Sequence, residues 1–235
     1  VKEDKAPMTA RDAIEGRVAV RRFMPGQVPL DVVRDILRTA SHAPSGANLQ
    51  PWRVYVVAGA AKAALCAQVE TAHRHHAEAH AEEYPYYPDA GLEPYASRKR
   101  QFGQVFYGAL GIQPDDVQGR ARQTARNFRF FDAPVGMVFT IDRRLAQGSW
   151  LDYGMFLQNV MLAARACGLD TCPQVSIARF HKVLRCCLAI PDDELVLCGM
   201  SLGYADTSAP ELAIRQSRLP VDAFASFQGF DAAAA

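Results

Sequence analysis

Residues 151–167 are apolar on almost every side of a helical pattern, interrupted mainly by Asp152, Gln158, Asn159 and Arg165. A helix of that kind offers no broad polar face to water and has to be packed on most sides. Gly168 follows, placed to end it. The rest of the chain must supply the packing. Alternating or continuous apolar runs at 53–57, 135–141 and 195–202 read as strands, the last apolar enough for a central one. Helices are expected over 10–15 with Thr9 as N-cap, around Val33, Ile36, Leu37 and Ala40, from about 60 to about 80, and around Phe180, Val183, Leu184 and Cys187. Helix and strand patterns alternate without repeat or linker, which predicts one α+β domain over 1–235.

Composition agrees and removes several function classes. Hydrophobic residues make up 49% of the 235, enough for a packed core. The formal net charge of +1 gives no bulk field for nucleic acid or a membrane surface. No apolar run reaches the roughly 18 residues of a membrane span. The charged opening Val1-Lys2-Glu3-Asp4-Lys5 lacks the apolar centre of a secretion signal, so a cytoplasmic location is expected. Six cysteines include no Cys-x-x-Cys pair, and buried reduced thiols are expected rather than disulfides. His73, His75, His76 and His80 crowd one expected helix. The spacing of His76 and His80 can bind zinc, but no third ligand accompanies it. A solvated helix face is the expectation, with no metal.

Four segments carry polar chemistry. Residues 43–52, Ala-Pro-Ser-Gly-Ala-Asn-Leu-Gln-Pro-Trp, form an irregular loop rich in hydrogen-bonding groups, suited to close approach of a flat polar ring. Arg17-Val18-Ala19-Val20-Arg21-Arg22-Phe23 places guanidinium groups on a short extended segment, a ready phosphate clamp. Arg215 and Arg218 make a second basic group. Residues 168–174, Gly-Leu-Asp-Thr-Cys-Pro-Gln, follow the apolar helix; Cys172 has no histidine beside it and is expected to be a packed thiol. Residues 84–107 differ in kind, with three prolines and seven aromatics, and read as a largely irregular excursion or lid.

These segments together resemble the FMN-dependent nitroreductase family, over about residues 10–220. Pro44, Ser45, Gly46 and Asn48, with Gln50 beside them, match its Pro-Ser-x-x-Asn-x-Gln-Pro-Trp loop. Arg17 and Arg21 match the outer arginines of its Arg-Arg-Ser-x-Arg run, whereas Val18 and Ala19 depart from it and Ala19 replaces a serine donor. The resemblance implies a mostly antiparallel central sheet flanked by helices, and a homodimer whose opening loop reaches the partner's flavin. It implies that Arg17, Val18, Ala19, Arg21, Arg215 and Arg218 surround the FMN phosphate, with Arg21 reaching either the phosphate or the N1/O2 edge. It places the N–H of Val175 near flavin N5, with Pro173 and Gln174 packing nearby. Asn127 is either a contact to the pyrimidine edge or a helix C-cap.

The activity so implied is reduction of nitroaromatics or quinones by NADH or NADPH, in two-electron ping-pong steps with no catalytic side chain. The lid and the Asn127 segment look most like the nitrobenzoate and nitroaromatic reductase branch. Tyr86, Tyr87, Tyr95, Arg98 and Lys99 are the expected oxidant contacts. Reductive dehalogenation of a halophenol, with Tyr95, Arg98 and Lys99 gripping a phenolate, and FMN binding without turnover are the alternatives.

Overall fold

The structure is a computed structural model and describes residues 8–230. Four strands, β1 (Arg53–Ala58), β2 (Val135–Asp142), β3 (Asp170–Gln174) and β4 (Glu194–Gly203), form one antiparallel sheet in the order β1-β2-β4-β3. The period of two in β2 divides the core. Met137, Phe139 and Ile141 face α2 (Leu30–Ala40) and α6 (Gln147–Ala166), where Val33, Ile36, Tyr153, Phe156 and Val160 are buried with them. Val138 faces the other way, onto α3 (Gly59–His75) and α7 (His181–Leu188), against Leu65, Val69 and Leu184. The apolar helix expected at 151–167 is thus α6, ended at Gly168 with φ of 72°. It is not covered all round: Leu151 is 75% exposed and Met155 40%.

Two local devices place the basic segment. Thr9 and Asp12 close a reciprocal capping box on α1 (Ala10–Gly16), with Asp12 N–H donating to Thr9 Oγ1 at 3.1 Å and Thr9 N–H to Asp12 Oδ2 at 3.0 Å. The chain then lies along the β3 edge. Val20 N–H donates to the Thr171 carbonyl at 3.0 Å, and Met24 N–H to that of Tyr204 at 2.8 Å. Burial of Val20 and Phe23 anchors the segment. Pro173 is tolerated because β3 is an edge strand whose outer side is bridged by the 19–24 segment only at Thr171, so among the described residues no bond there calls for an N–H from Pro173.

Several expectations need correction. The helix read over 60–80 ends at His75, and a separate short turn, Ala77–Ala79, follows. His76 and His80 therefore do not share a helix face, and among the described residues no group of three ligating side chains forms a metal site. Nor is the histidine face fully solvated. The His73 ring lies 4.4 Å from that of Phe128, and His80 lies 5.1 Å from Phe180. Cys66, Cys172 and Cys198 are buried thiols, but Cys167, Cys186 and Cys187 are exposed. The excursion is not irregular throughout. Its second half is helix α4 (Tyr95–Ala109), and the unanticipated α5 (Val117–Ala125) follows. Proline density at 85–94 masked a helix that begins just after Pro94.

Candidate active site

A run of three left-handed residues builds the floor. Phe130, Phe131 and Asp132 have φ of 52°, 51° and 64°. Left-handed backbone at non-glycine residues is unfavourable by about 1–2 kcal/mol each, so the surroundings must hold it. Phe130 and Phe131 are buried. The Ser201 hydroxyl lies 2.8 Å from the Phe130 carbonyl and 2.6 Å from Gln174 Oε1. Gln174 Nε2 in turn donates to the Asn127 carbonyl at 2.7 Å. A Cβ on Gly136 would stand 2.9 Å from the Phe130 ring, so that ring fits only over a glycine.

This floor opens into a cleft of about 610 Å³, bounded below by Phe131, Pro173, Gln174 and Val175 and above by Tyr84, Tyr86, Tyr87, Phe102 and Phe106. Val175 is the first residue of the short helical turn Val175–Phe180. Its N–H has no acceptor inside that turn, and the residue lines the cleft. Gln123 also borders the cleft, 9% exposed, and its Nε2 has no hydrogen-bond partner. Sequence reading missed it because α5 carries no apolar periodicity. Asn127 lines the cleft, while its Nδ2 donates to the Thr124 carbonyl at 2.9 Å, the capping geometry.

A second cleft of about 400 Å³ adjoins the first and shares Arg21, Phe102 and Phe106 with it. Here Arg17, Val18 and Ala19 meet Arg215 and Arg218, two segments about 200 residues apart in sequence. Arg17 is held below its ordinary range, first by burial and then by the neighbouring Arg218 charge. Two arginines facing one another across a cleft make a site for a multiply charged anion. Arg21 lies at the junction, its guanidinium carbon 4.6 Å from the Phe106 ring centre and 5.7 Å from that of Phe102. Cys172 is buried beside this pole and its thiol is pushed up to about 11, chiefly by burial, which fits packing and not nucleophilic attack.

The remaining expected residues fall elsewhere. Pro44, Ser45, Gly46, Asn48 and Gln50 border neither cleft of their own chain. The loop is exposed and stiff: Ser45 Oγ accepts from Gln50 N–H at 3.0 Å, and Gly46 N–H donates to Asp152 Oδ2 of α6 at 3.1 Å. Tyr86 and Tyr87 do line the first cleft. Tyr95, Arg98 and Lys99 do not; they line a third, outer cleft formed by α4 and residues 87–91, with Arg120 from α5.

Comparison with known proteins fits this geometry. A model of the Nitroreductase family matches residues 14–204. The nitrobenzene nitroreductase of Ectopseudomonas oleovorans is 46% identical over 216 residues, covering 92% of this chain and 95% of that one. The 4-nitrobenzoate reductase of Pseudomonas putida is 43% identical over 218 residues, covering 93% and 95%. The crystal structure of the FMN and NADPH-dependent nitroreductase NfnB from Sphigopyxis sp. strain HMH superposes with a TM-score of 0.91 at 35% identity, covering 94% of this chain and 100% of that one. An antiparallel sheet under an aromatic slot, with a pole of arginines at one end, is thus set in a chain that belongs to the nitroreductase family.

Proposed function

We propose that this chain is an FMN-dependent oxidoreductase that takes electrons from NADPH or NADH and delivers them to a nitroaromatic or quinone. The observation that carries the reading is the joining of the aromatic cleft to the arginine cleft at Arg21. A flavin mononucleotide has those two ends, a flat ring and a phosphate. The donors fit it: Arg17, Arg215 and Arg218 for the phosphate, the Val175 N–H and the unpartnered Gln123 amide for the ring. When bound, FMN supplies hydride exchange at its N5.

The protein's own part is orientation and charge. Phe131 and Pro173 set the plane of the slot. The Val175 N–H fixes one edge. Arg21 brings a positive charge to the junction, where it serves the ring edge and the phosphate end alike. Tyr84, Tyr86 and Tyr87 line the cleft and offer it aromatic faces. One slot for both partners makes donor and oxidant alternate, which is ping-pong kinetics. No side chain has to act as nucleophile or proton donor.

The chain works as one domain, in the cytoplasm, as a homodimer with its active sites at the interface. Support comes from the stiff, exposed 44–50 loop, tied to α6 through Asp152, and from Leu49, Leu151 and Met155, which stay exposed beside it. Obligate interfaces are built from apolar surfaces of this kind. No helix among the described residues is long and apolar enough to cross a membrane. The dehalogenase reading would have to place its phenolate at Tyr95, Arg98 and Lys99, which line the outer cleft and not the aromatic one.

Purified protein should be yellow, release FMN and not FAD, and oxidise NADPH when nitrobenzene is added. A colourless chain that ignores added FMN would overturn the reading. A yellow chain that never turns over would leave FMN binding without catalysis.

A further inference from the structure

The outer cleft has a volume of about 870 Å³ and shares Tyr87 and Tyr107 with the aromatic cleft, so the two are neighbours across a wall of two tyrosines. Its charged lining is four cations, Arg98, Lys99, Arg100 and Arg120, against the single carboxylate of Asp89. Lys99 Nζ lies 3.9 Å from the Tyr87 ring centre, the Arg98 guanidinium 5.6 Å from that of Tyr95, and the Arg120 guanidinium 5.0 Å from that of Tyr107. Arg100 is paired with Glu93 at 3.0 Å, but among the described residues none of the other three cations has a salt-bridge partner. Arg120 Nε is buried without any hydrogen-bond partner. Three cations without a salt-bridge partner, each over a tyrosine ring, outnumber Asp89 and suit a phosphorylated nucleoside, with stacking for the base and charge for the phosphate. A single-ring oxidant reacting in the aromatic cleft fills only that cleft. A dinucleotide whose nicotinamide enters it extends well beyond.

We propose that the outer cleft binds the adenosine 2′-phosphate end of NADPH, with Arg98, Lys99 and Arg120 as the phosphate contacts, and so selects NADPH over NADH. This rests on the reading of the chain as a nicotinamide-dependent flavoprotein. It reassigns the cations of α4 from the oxidant to the electron donor. Lys99 and Arg98 come to the cleft from α4 and Arg120 from α5, and the shared Tyr87 and Tyr107 set it directly beside the aromatic cleft.

Calorimetry on the FMN-loaded protein tests it, with adenosine 2′,5′-bisphosphate and adenosine 5′-monophosphate as probes. The bisphosphate should bind at least about tenfold more tightly, the equivalent of one charge-assisted contact. The double variant Arg98→Gln with Lys99→Gln, both on exposed side chains, should erase most of that difference, and Arg120→Gln should do likewise. The ratio of anaerobic flavin bleaching rates with NADPH and NADH should fall in parallel. Equal binding of the two probes by the wild-type protein overturns the proposal. So do variants that keep the discrimination but lose affinity for 4-nitrobenzoate, which would return the cations to the oxidant. FMN-loaded protein that reduces nitroaromatics without discriminating the probes defeats this inference alone. A chain that holds no FMN defeats the functional reading instead, whatever the probes do.

Discussion

The floor and the roof of the aromatic cleft are built by different physics. The floor is strand and strained turn, locked by buried hydrogen bonds among Gln174, Ser201 and Asn127 and by a glycine under Phe130. The roof, from Tyr86 through α4, rests on ring contacts and cations over rings, with Tyr86, Tyr87 and Tyr95 more than half exposed. Buried, directional bonds fix geometry and break all at once. Exposed aromatic contacts are individually weak and exchange readily. Floor substitutions should therefore remove cofactor and stability together, and roof substitutions should change which small molecule is preferred.

Gly136→Ala is the harshest test of that contrast. Its Cβ has no space beside the Phe130 ring. Overpacking of this kind destabilises by about 1–3 kcal/mol, and the left-handed run has little freedom to give way. Urea denaturation should show a lower midpoint with an unchanged slope, and the protein should lose FMN on dialysis. Full stability with retained FMN would mean the floor is as adaptable as the roof.

Arg17→Ala or Arg218→Ala should weaken FMN binding by about ten- to a hundredfold each, from loss of one charge-assisted contact. The sharper result concerns the FMN-free protein. There Arg17 is lowered first by burial and then by the charge of Arg218, so the two cations oppose one another without an anion between them. Removing either should leave the FMN-free form no less stable while the loaded form loses stability. Equal losses in both forms would make these arginines structural.

The root of the roof is an exception, and acid should reveal it. Glu83 accepts from Arg143, from Val196 N–H at 3.3 Å and from Arg185 at 3.5 Å, with His181 Nδ1 3.4 Å away. Burial alone would raise its carboxyl, but the Arg143 hydrogen bond and the neighbouring His181 and Arg143 charges hold it below its ordinary 4.5. A carboxylate depressed in the fold contributes stability that is fully present above 4.5 and lost as pH falls through the lower folded value. His181, lowered mainly by burial, adds a loss of the same sign that begins below its ordinary 6.5. Denaturation across this range should show both steps in the wild type. Glu83→Gln should abolish the lower one and keep the upper. A lower step that survives the substitution would place the acid sensitivity elsewhere.

What the sequence revealed followed the same division. The strands at 53–57, 135–141 and 195–202, Thr9 as an N-cap and the shared cleft of Arg17 and Arg218 were legible, because periodicity, caps and charge are local or additive properties. The left-handed run at Phe130–Asp132 was not, since nothing in a Phe-Phe-Asp triplet announces positive φ; it exists only because Gly136 and Ser201 stand across from it. Gln123 was missed for a related reason: a glutamine on a polar helix looks solvated until tertiary packing buries it. Tyr95, Arg98 and Lys99 were expected at the oxidant, and they line the outer cleft rather than the aromatic one, because helical phase in α4 decides which cleft each enters. Ser45 and Asn48 matched a family loop, yet they border neither the aromatic cleft nor the arginine cleft of their own chain.

The smallest effect belongs to the roof itself. Tyr86 lines the aromatic cleft and meets Tyr87 edge to face at 4.9 Å between ring centres. Burial raises its hydroxyl above the usual phenol range, so it is a neutral donor at pH 7. Tyr86→Ala removes one stacking surface and one donor above the oxidant, a contact worth about 0.5–1.5 kcal/mol. kcat/KM for nitrobenzene should fall about two- to tenfold. Tyr86→Phe keeps the ring and should recover most of that loss if stacking dominates. The denaturation midpoint should move little, since the side chain is 54% exposed. Stopped-flow should place the larger change in reoxidation by the nitroaromatic, with a smaller one in reduction by NADPH. Equal changes in both half-reactions, together with a lowered midpoint, would show that Tyr86 supports the fold as the floor residues do, and the division between floor and roof would fail at its nearest point.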